Sequence, residues 1–244
     1  MKRRTAFILS CLLGCPAMLQ AQVGDARRDL AIGFNAGATL NTVSFTPSIK
    51  QTMKPEFTGG ITLRYTCEKY FKSLCAIQME VNYANLGWEE VIETSSDTYR
   101  RDMHYIQVPI LARMGWGYEE KGAMFYVVAG PQLGYCIADK EHRGGAFSEE
   151  TLNKRPNKVT QQYGKAIDRP FDYGITAGLG LEVNTRKAGH FMLEGRYYFA
   201  LSDIYNNGKR DPFSRSANGT IVAKITYLFD ILKTKRGCVK IPSL

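Results

Sequence analysis

Ten side chains with ionisable or amide groups recur at alternate positions along the chain: Arg64, Gln78, Glu80, Gln107, Arg113, Gln132, Glu182, Glu194, Arg196 and Lys224. Three are acids and four are bases. Gathered in one confined space, Arg64, Glu80, Arg113, Glu182, Glu194, Arg196 and Lys224 can pair, and pairing offsets the cost of removing charge from water. Such a set either lines a path for ions or plugs it, and the near balance of signs favours the plug. A nucleophilic set can also be drawn. His104 opens an alternating run, and Ser95, Ser96 and Asp97 precede it; triads are defined by geometry rather than order. No G-x-S-x-G elbow frames a serine here, and His142 and His190 read as polar residues of loops and turns. Cys67 and Cys75 flank "EKYFKSL" between two alternating runs. They either form a disulfide across a hairpin or are two small residues on a buried or lipid face. No C-x-x-C pair or His-rich tract points to a metal. No phosphate loop or dinucleotide fingerprint is present, because the glycines of "GITAGLGLE" are not followed by a helix. Neither a cofactor nor a metal is expected.

The elements that position these residues are strands. "CAIQMEVNY" places Cys75, Ile77, Met79, Val81 and Tyr83 on one face and Ala76, Gln78, Glu80 and Asn82 on the other. This is the period-2 signature of a strand with two unlike faces. Seven further runs behave alike: "LAIGFNAGATL", "GGITLRYT", "HYIQVPILARMGW", "FYVVAGPQLGYCI", "FDYGITAGLGLEV", "FMLEGRYYFAL" and "GTIVAKITYLF". Ordinary strands run about 5–6 residues; most of these reach the length of about 9–11 that a tilted membrane strand needs. The links alternate long (41–57, 85–103, 138–170, 202–218) and short (67–74, 117–122, 184–190), as in outer-membrane barrels. Pro109 and Pro131 cannot donate to a ladder and should mark bulges or strand ends.

Which face meets lipid follows from volume. Tyr, Phe and Leu at nearly every inward position would overfill a small barrel. Turned outward they meet lipid, while the glycines make room for the charged set in a narrow lumen. Aromatics near run ends (Tyr83, Trp116, Tyr118, Phe125, Tyr135, Phe171, Tyr173, Tyr205, Tyr227 and Phe229) suit the two interfacial girdles. The expected fold is all-β: a single antiparallel up-and-down transmembrane β-barrel of about eight strands, with short periplasmic turns and long extracellular loops. A soluble barrel holding a fatty ligand is the alternative.

Targeting agrees. Lys2, Arg3 and Arg4 precede the apolar "AFILSCLLGC", and "MLQAQ" offers a small residue at Ala21. The reading is a signal peptide over 1–21, a barrel domain over 22–229 and a short basic periplasmic tail over 230–244. "LLGC" offers lipidation at Cys15 as the alternative to cleavage after Ala21. The net charge of +9, less the three charges of Lys2, Arg3 and Arg4, leaves +6 on the mature chain. These charges gather in loops such as "DKEHRGG" and "NKRPNK", where they are solvated and can touch acidic head groups. Nucleic acid is not an expected partner; outer-membrane lipid is.

The blocks "YIQVPILARMGW", "YVVAGPQLGY", "FDYGITAGLGLEV", "EGRYYFALSDI" and "ITYLF" fall in the order seen in the PorT-like outer-membrane β-barrel family of Gram-negative bacteria, which the chain resembles over about residues 28–229. The residues themselves favour a non-enzymatic barrel with a structural or interaction role, since no catalytic motif is framed and an eight-stranded barrel filled by side chains is too narrow for a general porin; the resemblance implies a small barrel of the porin-like class and a role accessory to protein secretion. Its partners would be secretion-system or other envelope proteins. The closing "TYLF" resembles the signal read by barrel-assembly machinery, with Tyr227 and Phe229 at the alternating positions, although Lys224 stands where that signal usually has Gly. An outer-membrane lipid-modifying enzyme and a narrow channel are the competing functions.

Overall fold

The computed structural model describes residues 25–119, 121–148, 152–153, 159–185, 188–206, 208 and 212–234. The leader with Cys15 and Ala21 and the tail after residue 234 lie outside the described residues. The strands are β1 (Asp25–Thr46), β2 (Gln51–Thr52), β3 (Lys54–Tyr70), β4 (Ser73–Glu90), β5 (Thr98–Gly117), β6 (Gly122–Gly144), β7 (Phe171–Thr185), β8 (Gly189–Ala200) and β9 (Arg215–Leu232). The two-residue β2 only extends the sheet beside the end of β4. The other eight pair antiparallel with their neighbours in the chain, and β1 pairs with β9, so the sheet closes into an eight-stranded ring with no free lateral edge. β3 and β4, β5 and β6, and β7 and β8 are joined at one end of the ring by few residues, and the longer connections between β1 and β3, β4 and β5, β6 and β7, and β8 and β9 lie at the other end.

The strands continue past the expected loop boundaries: β4 to Glu90, β5 from Thr98 and β6 to Gly144. The reason is an inversion of polarity along single strands. Through the lower part of β1, Phe34, Ala36, Ala38 and Leu40 point outward and Asn35 and Thr39 point inward. After Asn41, Val43 and Phe45 point inward while Ser44 and Thr46 point outward. In β4 the outward Ile77, Met79, Val81 and Tyr83 give way to inward Leu86 and Trp88. In β5 the inward Tyr99, Met103 and Tyr105 lie above the outward Ile106, Ile110 and Met114. The lower tier is thus apolar outside and polar inside, as lipid requires, and the upper tier is apolar inside, as water requires. An alternation scan reads the two tiers as separate segments because the apolar residues change parity between them.

Both prolines lie inside continuous strands, not at bulges or ends. The β4–β5 ladder skips from Met79↔Ile110 to Asn82↔Gln107 around Pro109, and the β5–β6 ladder skips from Pro109↔Gln132 to Ala112↔Ala129 around Pro131. Each missing donor opens a local gap, and the flanking rungs hold the strand in place.

Candidate functional site

The ring encloses two interiors, a charged lumen and an apolar cap. All seven charged residues marked in the sequence point into the lumen and all are buried. They form two linked clusters. In the lower one, Glu182 accepts from Arg64 at 2.7 Å and also pairs with Arg113. In the upper one, Glu80 accepts from Arg196 through two nitrogens, at 2.7 and 3.0 Å, and pairs with Lys224; Glu194 pairs with Arg196 and lies 3.6 Å from Lys224. Amides complete the acceptor valences of Glu80: Gln78 and Asn82 each donate at 2.8 Å. Gln78 in turn accepts from Arg113 at 3.2 Å, so the clusters are one network.

Two members were not marked in the sequence. Tyr126 lies under the Arg113 guanidinium, 3.5 Å from its ring centre, and donates its hydroxyl to Glu194 at 3.0 Å. Its ring fills the space left by Gly180, where a Cβ would fall 2.4 Å from the ring. Replacing Gly180 with Val is therefore expected to displace Tyr126 from both partners. The temperature of the heat-induced gel shift should fall by several degrees, readable by electrophoresis with graded heating. His190 closes the lumen at the turn end. Its Nδ1 lies 2.5 Å from the amide oxygen of Asn184 and 3.0 Å from Glu182, and its Nε2 lies 3.0 Å from Asp230, so three oxygens surround one ring. The signal was parity: His190, Met192, Glu194 and Arg196 share the inward face of β8.

The cap sits over the network at the loop end. Val43, Phe45, Leu86, Trp88, Tyr99, Met103, Tyr105, Ile204, Tyr205 and Phe213 form its buried cluster. Phe45 packs against Trp88 and Phe213 at centroid distances of 5.2 and 5.1 Å. Tyr205, expected in a lipid girdle, is instead fully buried here, because Ser202, Ile204 and Tyr205 turn inward above β8. Burial pushes its hydroxyl above the ordinary tyrosine range, so it stays neutral and accepts from Arg101 at 3.1 Å. Arg101 also donates to the carbonyl of Lys165, pairs with Asp139, and lies 5.7 Å from the Trp88 ring centre. One cation thereby joins β4, β5, β6 and the connections that carry Lys165 and Tyr205, between β6 and β7 and between β8 and β9. Glu90 fastens the 159–170 loop as well, accepting from Gln162 at 3.0 Å and Tyr163 at 2.8 Å.

The histidine–serine set does not assemble. His104 contacts Tyr83 at 2.7 Å and Asn85 at 2.6 Å on the outer wall, whereas Ser95 bonds Asp97 within its own loop. His142 faces Asp102. Cys67 and Cys75 are free thiols, not a disulfide. The ladder passes from Thr66↔Ala76 to Glu68↔Cys75, so Cys67 is the extra residue of a bulge and Glu68 takes the rung opposite Cys75. Among the described residues no group of His, Cys, Asp and Glu is arranged to hold a metal. Tyr227 and Phe229 stand on the outer face of β9, opposite Phe34 and Ile32 at the seam where the barrel closes.

A closed ring with a lipid-facing apolar belt, a charged interior, short turns at one end and long loops at the other is a transmembrane β-barrel of the bacterial outer membrane. The chain belongs to the family of outer membrane protein beta-barrel domains, whose model matches residues 20–206. No curated protein matches the sequence. Among solved structures it is similar to Neisserial surface protein A, with 13% identity over 82% of this chain and 97% of that one and a TM-score of 0.41. It is also similar to Ail, the attachment invasion locus protein of Yersinia pestis, with 13% identity over 82% and 98% and a TM-score of 0.34. The outer membrane enzyme PagL matches with 11% identity over 82% and 98% and a TM-score of 0.40.

Proposed function

We propose that this protein is a closed, non-enzymatic barrel that acts as a membrane-held scaffold, through its extracellular loops and its periplasmic face rather than through its lumen. The observation that carries the reading is the filled interior: Gln78, Glu80, Glu182, Glu194 and Lys224 are each at most 2% exposed, and the cap seals the space above them. An eight-stranded barrel filled by side chains has no room for a water column. The network serves as a structural plug. Reconstituted in planar bilayers, the wild-type protein should add no steady conductance. Glu194→Ala should lower the temperature of the heat-induced gel shift by several degrees and still conduct nothing. Unchanged heat stability together with new conductance would sink the plug.

The PorT-like sequence blocks extend this reading to a role as accessory to protein secretion, with envelope proteins as partners and Tyr227 and Phe229 as the residues read by the assembly machinery. A strain lacking the gene should then release less of its exported proteins into the medium. Unimpaired secretion in that strain would remove the secretion role and leave the scaffold.

A further inference from the structure

Above the lower tier, one sector of the wall is closed by side chains instead of a backbone ladder. β3 and β4 pair up to Thr58↔Ala84, and pairing on that side of β4 resumes only through β2, at Thr52↔Glu89 and Gln51↔Glu90. Between those rungs residues 54–57 stay with β1, from Asn41↔Lys54 to Ala38↔Phe57, and residues 85–88 stay with β5, from Asn85↔His104 to Trp88↔Arg101. Polar side chains cross the break. The Asn41 amide donates to the carbonyls of Lys54 at 3.4 Å and Asn85 at 3.3 Å, and the Thr39 hydroxyl donates to the Asn85 carbonyl at 3.4 Å. Higher up, the Gln51 amide takes the place of a strand: it accepts from the Val43 N–H at 3.1 Å and donates to the Val43 carbonyl at 2.7 Å. Lys54 reaches furthest. Its ammonium pairs with Glu56 at 2.7 Å and with Asp102 on β5, so it passes β4 altogether. The crossing is at Gly87, the rung partner of Asp102, where a Cβ would fall 3.4 Å from the Lys54 nitrogen and 2.0 Å from the Arg101 carbonyl oxygen. Trp88, the next residue of β4, stands behind the break, fully buried in the cap.

We propose that this break is a latch in the upper wall. Lys54 is the bolt, and its release lets the β1–β3 side part from β4 and exposes the cap around Trp88. A stretch held by a few side-chain bonds opens locally at a lower cost than the laddered wall around it. The charges make the opening reversible. Removing one partner from a buried pair is costly when the other is left uncompensated. Here neither is: Asp102 keeps Arg100 at 3.0 Å, from its own strand, and Lys54 keeps Glu56, from its own strand. Both halves of the bolt therefore hold a counter-charge when it is drawn.

Trp116→Phe leaves Trp88 as the one tryptophan of the full mature protein and serves as the reference. In vesicles, acrylamide quenching of its emission reads access to the cap, and amide hydrogen exchange reads where the wall opens. Quenching of the reference should be weak. Adding Lys54→Met should raise the quenching constant several-fold and speed exchange in 54–57 and 85–88. Adding Arg100→Gln, which takes a cation from the same carboxylate without crossing the break, should leave both readouts at the reference level. If Lys54→Met does not fold, Asp102→Asn, which removes the other half of the bolt, should open the break in the same way. Unchanged quenching in the folded variant overturns the latch. So does an equal rise in Arg100→Gln, or exchange that quickens across the whole cap rather than at the break.

Discussion

Glu80→Ala should abolish the heat-resistant compact form of the protein. Glu80 accepts from Arg196 and Lys224, and both cations are buried in the same layer of the lumen. Removing the carboxylate leaves Glu194 alone to balance them. It also strips Gln78 and Asn82 of their acceptor. Stranding one side of a buried ion pair costs about 3–5 kcal/mol, a large fraction of the stability of a single domain. The intact pair is itself weak evidence for stability, because desolvation of both partners opposes their attraction. The expected loss therefore measures orphaned charge rather than the worth of the bridge. This gives a second reading. Removing one of the stranded cations as well, in Glu80→Ala with Lys224→Met, should restore part of the heat resistance lost by the single variant. Graded-temperature electrophoresis of both variants checks it; a double variant weaker than Glu80→Ala would contradict the charge account.

Trp88→Ala should loosen the cap and leave the membrane barrel standing. Trp88 is fully buried and packs against Phe45 and Tyr99, with Arg101 over its ring. Truncating a buried aromatic costs about 3–5 kcal/mol through lost transfer energy and the cavity left behind. That loss falls on the upper tier, where Val159 and Lys165 of the β6–β7 connection and Ile204, Tyr205 and Phe213 of the β8–β9 connection are held by Arg101 and the aromatic cluster. In proteoliposomes, limited proteolysis should cut the 145–170 loop much faster than in the wild type, while the heat-induced gel shift persists. Collapse of both readouts together would mean that cap and lumen fold as one unit.

Much of the lower tier was legible in the sequence because two physical signals agree there. Alternation of Ile77, Met79 and Val81 with Gln78 and Glu80 marks both the strand and the two environments. The seven charged residues could be grouped because parity alone puts them on one face of closed strands. Their pairing was not legible, since Glu182 meets Arg64 across 118 positions of sequence and only ring closure brings them together. Tyr126 was hidden for a different reason: an aromatic on an inward face looks like an error in the pattern until a glycine on the next strand, Gly180, makes room for it, whereas His190 reads as a turn residue unless the inward parity of β8 is carried back to the first residues of the strand. The cap was the largest omission. Val43, Phe45, Leu86 and Trp88 obey the same period as the belt but on the opposite parity, so they read as loop when the lipid rule is carried past the membrane. The bulge at Cys67 was likewise invisible, because one extra residue in a ladder changes no composition.

Along single strands the apolar face changes sides: toward lipid in the lower tier, toward the interior in the cap. The chain carries two tryptophans, one in each setting. Trp116 is on the outer face, stacked with Phe125 at 6.3 Å, and Trp88 is in the cap. Quenching of tryptophan emission by lipids brominated near the top of the acyl chain measures this directly. In vesicles, Trp88→Phe, which retains Trp116, should be strongly quenched, and Trp116→Phe, which retains Trp88, should be nearly unaffected. Equal quenching of the two, or emission from Trp116 that ignores the brominated lipid, would contradict it.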